Sequence, residues 1–144
     1  MRTLAALAVA VGLAAIAGPT AACLPPPPPA WDAWLGDPSV DIFLGRVESV
    51  ETLAPVDNGA VIVTSGVAHI RSLEVIQGQP AAETAQTTGA LSVAYKSLPV
   101  QTPLCIDYLN FKPGDLVVVV RGDAVFGRGQ SDVPALAAYF EKHP

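Results

Sequence analysis

Alternation of apolar and polar residues over Asp41 to Glu51 is the clearest structural signal in the chain. The apolar members of this stretch are Ile42, Leu44, Val47 and Val50. Side chains with a period near two lie on one face of an extended strand. The pattern therefore predicts a β-strand with Gly45 at its middle, and we expect the downstream strands to close on it.

A long second strand is predicted to follow a hairpin. Residues 54–59 are rich in turn formers, and Asn58-Gly59 is a strong hairpin signal because both residues tolerate positive φ. The partner strand begins at Ala60 and extends to Gln77. The glycine within Ser65-Gly66 interrupts this strand and predicts a bulge or a barrel corner.

Three later segments complete the predicted sheet. Residues 81–89 are small and polar, which is typical of a surface loop. Residues 90–96 alternate again and predict the next strand. The continuous run Leu116 to Val120 is typical of a strand buried on both faces, and the glycines of residues 122–130 indicate a loop or an irregular strand.

Helical signals are confined to the two ends. Trp31, Trp34 and Leu35 recur at one-turn spacing and predict a short helical turn packed on a barrel end; an exposed tryptophan pair that stacks on a ligand is the alternative. Asp132 is expected to cap a final helix with Pro134 in its first turn. Many short strands and few helices predict an all-β barrel or sandwich.

The first 22 residues have the form of a secretory signal peptide. Arg2 precedes the uncharged apolar run Leu4 to Ala17, and small residues follow up to Ala22. The run is short for a transmembrane span of ~20 residues. The predicted organisation is a signal peptide at 1–22, a proline-rich segment at 23–40 and one barrel domain with a C-terminal helix at 41–144. We expect export to the periplasm or the exterior.

The charge of the chain limits the classes of partner. Its formal net charge is −5, and removal of Arg2 with the signal peptide makes it −6. No cluster of Lys and Arg occurs in the sequence. The composition therefore argues against nucleic acid or an anionic membrane surface as the partner, and no later apolar run is long enough to cross a membrane.

Two cysteines, Cys23 and Cys105, remain after the expected cleavage. An even count in an exported chain favours a disulfide, because that environment is oxidising. Lipid attachment at Cys23, giving an outer-membrane lipoprotein, is the alternative. Thr20-Ala21-Ala22 has the small preceding residue of a lipoprotein signal but lacks its usual large aliphatic residue.

The five prolines Pro25 to Pro29 follow Leu24 directly. Proline has a fixed φ and no amide donor, so the run predicts a stiff extended segment. It is a spacer or, alternatively, a rigid ridge for recognition.

Candidate residues for catalysis or metal binding are sparse. His69 is predicted in a strand and His143 lies near the C-terminus, with no zinc-binding motif around either. No serine has a nucleophile-elbow motif, and Asp107 and Asp115 have the positions of turn formers. We therefore expect no catalytic residues, no metal and no cofactor; an envelope enzyme that uses His69 with a carboxylate is the least favoured alternative.

A family resemblance rests on the order of several motifs. A cysteine beside the cleavage site is followed by prolines, then by FLGRVESV, then by V-x-x-I-x-S-L-E-V-I-Q-G, and finally by Cys105 ahead of F-x-P-G-D-x-V-V-V. This order resembles the tissue inhibitor of metalloproteinases (TIMP) and netrin-like (NTR) superfamily, especially its bacterial exported members. The similarity covers roughly residues 23–122.

The resemblance implies a fold and a binding mode. The fold is a five-stranded, OB-fold-like Greek-key barrel, all-β with short flanking helices. In the inhibitors, the residue similar to Cys23 chelates a protease's catalytic zinc, the one similar to Leu24 enters a specificity pocket, and a ridge like that from Pro25 onward follows. This chain departs from the family's Cys-x-Cys pair, since residue 25 is proline. The expected function is therefore a non-enzymatic binding domain with a protein partner, and inhibition of a zinc metalloprotease through Cys23, Leu24 and Pro25 is the alternative.

Overall fold

The computed structural model describes residues 23, 26–80, 84–96, 105–122 and 124–144. Its elements are α1 (Trp31–Leu35), β1 (Ile42–Thr52), β2 (Val56–Asp57), β3 (Val61–Gln77), β4 (Thr84–Tyr95), β5 (Leu116–Val120), β6 (Ala124–Gly127), a 3₁₀ turn (Arg128–Gln130) and α2 (Pro134–Lys142). The expected signal peptide, Leu24 and Pro25 lie outside the described residues. Within them, no helix is long and apolar enough to cross a membrane.

The strands form one curled antiparallel sheet. Its order is β2-β3-β1-β5-β6, and β4 pairs with β3 along residues 61–71. The meander β1-β3-β4 is thus followed by a strand, β5, that returns beside β1, which is Greek-key connectivity. The all-β, OB-fold-like class with short flanking helices is confirmed, and the two-residue β2 is an addition to the five strands expected.

Strand β5 and the first half of β1, residues 42–47, are buried on both faces because each face has its own covering layer. One core lies under the two helices and contains Trp31, Val40, Ile42, Leu44, Val118, Val120, Leu136 and Phe140. The other lies inside the curl of the sheet and contains Phe43, Val47, Ala68, Ile70, Ala85, Leu109, Val117 and Val119. The continuous apolar run of β5 follows from this arrangement, since neither of its faces meets water.

The hairpin and bulge predictions are confirmed. The Asn58 N–H donates to the Val61 carbonyl at 2.9 Å, and Gly59 has φ +80°. A register shift between β3 and β4 falls at Thr64/Ser65. The short strand β2 was not expected, because Val56 and Asp57 belong to a turn-rich segment and pair only through β3.

Two other expectations are wrong. Of the expected loop at 81–89, residues 81–83 lie outside the described part of the chain, and residues 84–89 are not a loop. They belong to β4, because the long β3 supplies hydrogen-bond partners along their length and the threonines among them favour strands. Asp132 is not the cap of α2, whose N-cap is Val133 without a side-chain hydrogen bond; Pro134 does occupy the first turn.

Candidate functional site

The N-terminal segment is covalently joined to the sheet domain. Cys23 and Cys105 form a disulfide with their Cα atoms 5.5 Å apart and 82 positions apart in sequence. The predicted pairing is therefore confirmed, and it indicates an oxidising compartment. The Cys23 sulfur that a lipid would occupy is used in this bond.

The residues after Cys105 are attached to β4. The Ala90 N–H donates to the Asp107 carbonyl at 2.8 Å, and the Leu109 N–H donates to the Ala90 carbonyl at 3.0 Å. Tyr108 thereby forms a parallel bridge with Ala90, and the Leu109 side chain enters the inner core. Residues 105–109 are thus an anchored support for the disulfide.

Gly89 makes this close approach of two backbones feasible. A Cβ at residue 89 would lie 2.6 Å from the Leu109 nitrogen and 3.0 Å from its Cα, which is closer than real Cβ contacts. Gly89 was not among the residues predicted from the sequence, because the contact that requires a glycine is made by a residue 20 positions away. Its only sequence signal, an isolated glycine, fitted the expected loop equally well.

The other end of the proline segment is fixed by Trp31. This side chain is only 5% exposed, and its Nε1–H donates to the Gln130 carbonyl at 2.7 Å. Its ring packs edge-to-face on Trp34 and Phe126, with centroids 5.3 and 5.2 Å away. The alternative of an exposed tryptophan pair is therefore wrong. Pro26, Pro27 and Pro28 are exposed, as is Cys23. The described residues of the N-terminal ridge, which covers residues 23–29, are thus mostly exposed and lie between two fixed points.

His69 lies on the outer face of the sheet, at the centre of a polar row. Its Nε2 is 3.4 Å from Glu51 Oε2, and its Nδ1 is 3.2 Å from Gln86 Nε2. Both ring nitrogens have cross-strand partners, so this arrangement orders the sheet surface. His143 makes a separate contact: its Nε2 lies 2.9 Å from Glu74 Oε2.

The two remaining candidates, Asp107 and Asp115, have structural contacts. The Asp115 Oδ2 accepts the Lys112 N–H at 3.0 Å, as expected of a turn former. Asp107 contacts β4 through its carbonyl. Within the described part of the chain, no three side chains of His, Cys, Asp or Glu are grouped as a metal site would require.

Comparisons with known proteins give no assignment: no family model, no curated protein and no solved structure matches this chain.

Proposed function

We propose that this protein is an exported, non-enzymatic binding domain, similar to the NTR and TIMP class, that presents its N-terminal ridge to a protein partner. The observation that carries the proposal is the fixation of both ends of that ridge, by the Cys23–Cys105 disulfide and by the buried Trp31. A segment that is already ordered loses less conformational entropy on binding. A spacer would gain nothing from attachment at both ends.

The ridge also has the surface of a recognition element. Pro26, Pro27 and Pro28 are exposed beside Cys23. Proline offers apolar contact area and no amide donor, so it costs little to desolvate. An export signal at residues 1–22 would deliver the chain to the oxidising periplasm or exterior that the disulfide requires.

The polar groups of the sheet surface support binding over catalysis. The two ring nitrogens of His69 are already engaged, one by the Glu51 carboxylate and the other by the Gln86 amide. A general base needs a nitrogen that faces the proton it removes. The order of the sheet surface thus accounts for His69 without an enzymatic role.

Inhibition of a zinc metalloprotease is the second candidate. After cleavage before Cys23, its α-amine and carbonyl would form a five-membered chelate suited to the open position of a catalytic zinc. The disulfide would hold that chelate in place, and Leu24 would enter an adjacent pocket. The missing second cysteine, with Pro25 in its place, leaves one covalent anchor where the family has two.

Photo-cross-linking in the native host tests the binding proposal. A photoreactive residue replaces Pro27 in the ridge or, as the matched control, exposed Thr88 on β4. We expect a discrete protein adduct at Pro27 that is lost in the Cys23→Ser/Cys105→Ser variant. Equal adducts at both positions, or none at Pro27, would contradict the proposal.

A separate assay tests inhibition. Wild-type protein and a variant with one extra N-terminal alanine are assayed against a panel of zinc endopeptidases. The extended form should keep its fold and lose inhibition, because the extra residue removes the chelating amine. The second candidate is wrong if the wild-type protein inhibits no endopeptidase of the panel or if both forms inhibit equally. Neither outcome affects the interpretation of the cross-linking experiment.

A further inference from the structure

The disulfide that anchors the N-terminal ridge lies at the surface of the protein. Cys23 and Cys105 are both exposed residues, and neither of the two cores includes a cysteine. A thiolate breaks a disulfide by attacking one of its sulfur atoms, so the rate of exchange depends on access to that sulfur. Exposed disulfides are the labile ones, with regulatory or catalytic roles. A reductant can therefore reach this bond without unfolding the domain.

The support at residues 105–109 is attached to the sheet by contacts that do not involve the disulfide. The Ala90 N–H donates to the Asp107 carbonyl, and the Leu109 N–H donates to the Ala90 carbonyl. The Leu109 side chain packs in the inner core. Breaking the disulfide therefore frees Cys23 and leaves Cys105 on its support.

The other end of the ridge also keeps its anchor when the disulfide is broken. The Trp31 ring packs on Trp34 and Phe126, and its Nε1–H donates to the Gln130 carbonyl. The proline run stays extended as well, because the ring of each proline fixes φ. Reduction thus leaves the ridge stiff and changes its attachment: held at Trp31 alone, it is free to change direction relative to the sheet.

We propose that the Cys23–Cys105 disulfide is a redox switch, which a dithiol opens in the folded protein and which thereby weakens binding of the partner to the N-terminal ridge. This inference rests on the proposed binding function. With both ends fixed, the ridge already has one direction. Once Cys23 is free, the partner must restrict that direction on binding, which costs conformational entropy.

The reductant is a dithiol, as in a protein with a Cys-x-x-Cys motif. One thiolate of the dithiol bonds to one sulfur of the disulfide and expels the other cysteine as a thiolate. The second thiolate of the dithiol then closes on the first and expels the remaining cysteine. The protein gains two electrons and two protons, and the dithiol becomes a disulfide. Reoxidation reverses these steps and restores the second anchor.

The first experiment measures reduction of the folded protein. The purified protein is mixed with dithiothreitol without denaturant, free thiols are trapped by alkylation, and intact mass counts them. Oxidised glutathione serves as the reference for an unprotected disulfide. We expect a rate constant within about tenfold of that reference, and an NMR spectrum of the reduced protein that keeps the signal dispersion of a folded domain.

Val118→Ala distinguishes direct attack from reduction through unfolding. Val118 is fully buried in the core under the helices, so this variant loses stability while the surroundings of the disulfide are unchanged. Direct attack predicts less than a twofold change in the rate of reduction. A rate that rises tenfold or more would show that the bond is reached only from the unfolded state, and this would overturn the proposal.

The second experiment connects the switch to binding. Protein with the photoreactive residue at Pro27 is compared in three forms: oxidised, reduced with its thiols blocked by iodoacetamide, and reduced then reoxidised. The same residue at Thr88 is the matched control. We expect the Pro27 adduct to fall at least tenfold in the blocked form and to return on reoxidation, with no change at Thr88.

The outcomes separate the switch from the function on which it rests. An adduct that is undiminished in the blocked form overturns the switch and leaves the binding function standing. The switch is also overturned if the folded protein is reduced more than about a hundredfold more slowly than the reference, or if reduction abolishes the NMR dispersion. Absence of the adduct from the oxidised protein contradicts the binding function itself, and the switch then fails with it.

Discussion

Replacement of Gly89 with alanine should detach the support of the N-terminal ridge from β4. The new Cβ would lie 2.6 Å from the Leu109 nitrogen, whereas ordinary contact begins near 3.4 Å. The backbone of Leu109 must therefore move by about 0.8 Å. Such a shift stretches the Leu109–Ala90 hydrogen bond from 3.0 Å to beyond normal hydrogen-bond length.

The loss of stability follows from the contacts that hold residues 105–109. The substitution weakens two backbone hydrogen bonds, each of which contributes about 1 kcal/mol. It also exposes part of the Leu109 side chain, whose full burial contributes about 2 kcal/mol. We expect the free energy of unfolding to fall by about 2–4 kcal/mol. Gly89 does not have positive φ, so the effect is steric and not conformational.

Urea denaturation of the oxidised protein, followed by tryptophan fluorescence, measures this loss. Gly129→Ala is the matched control, since its Cβ meets no described atom within 4 Å and its φ is not positive; its midpoint should be unchanged. A loss below about 1 kcal/mol in Gly89→Ala, with an unchanged slope, would refute the steric account.

Three further outcomes are expected. Cys23→Ser/Cys105→Ser should lower the free energy of unfolding by up to about 4.5 kcal/mol, the loop-entropy value for a closure of this length, as measured by urea denaturation; an unchanged midpoint would contradict it. Gln77→Leu should cost about 2 kcal/mol, because the two N–H donors of the Gln77 amide are shared among the Trp34, Asp37 and Val40 carbonyls, which lie 2.6–3.0 Å from its nitrogen; an unaltered melting curve and near-ultraviolet spectrum would argue against this. The pKa of Glu74 is lowered from 4.5, chiefly by the hydrogen bond from Lys142 and then by that from His143. Its carboxylate therefore stabilises the fold above pH 4.5, and this contribution is lost as pH falls through the lowered pKa; Glu74→Gln should flatten the stability–pH curve in that acidic window, and parallel curves would contradict the assignment.

Features that depend on near neighbours could be predicted from the amino-acid order alone. Alternation in residues 42–52, the apolar run 116–120 and the Asn58-Gly59 turn are read from adjacent positions, because strand period and turn conformation are local properties. These features were enough for the all-β class. The count of two cysteines in a chain with an export-like start was enough for the disulfide.

Features that depend on distant partners became visible only in the folded chain. Residues 84–89 are a strand because β3 extends far enough to pair with them. Gly89 is required by Leu109, whose backbone approaches it only because residues 105–109 are attached to β4. Pairing and packing across the sheet supply free energy that local propensity does not contain, so residue spacing alone could not place these side chains together.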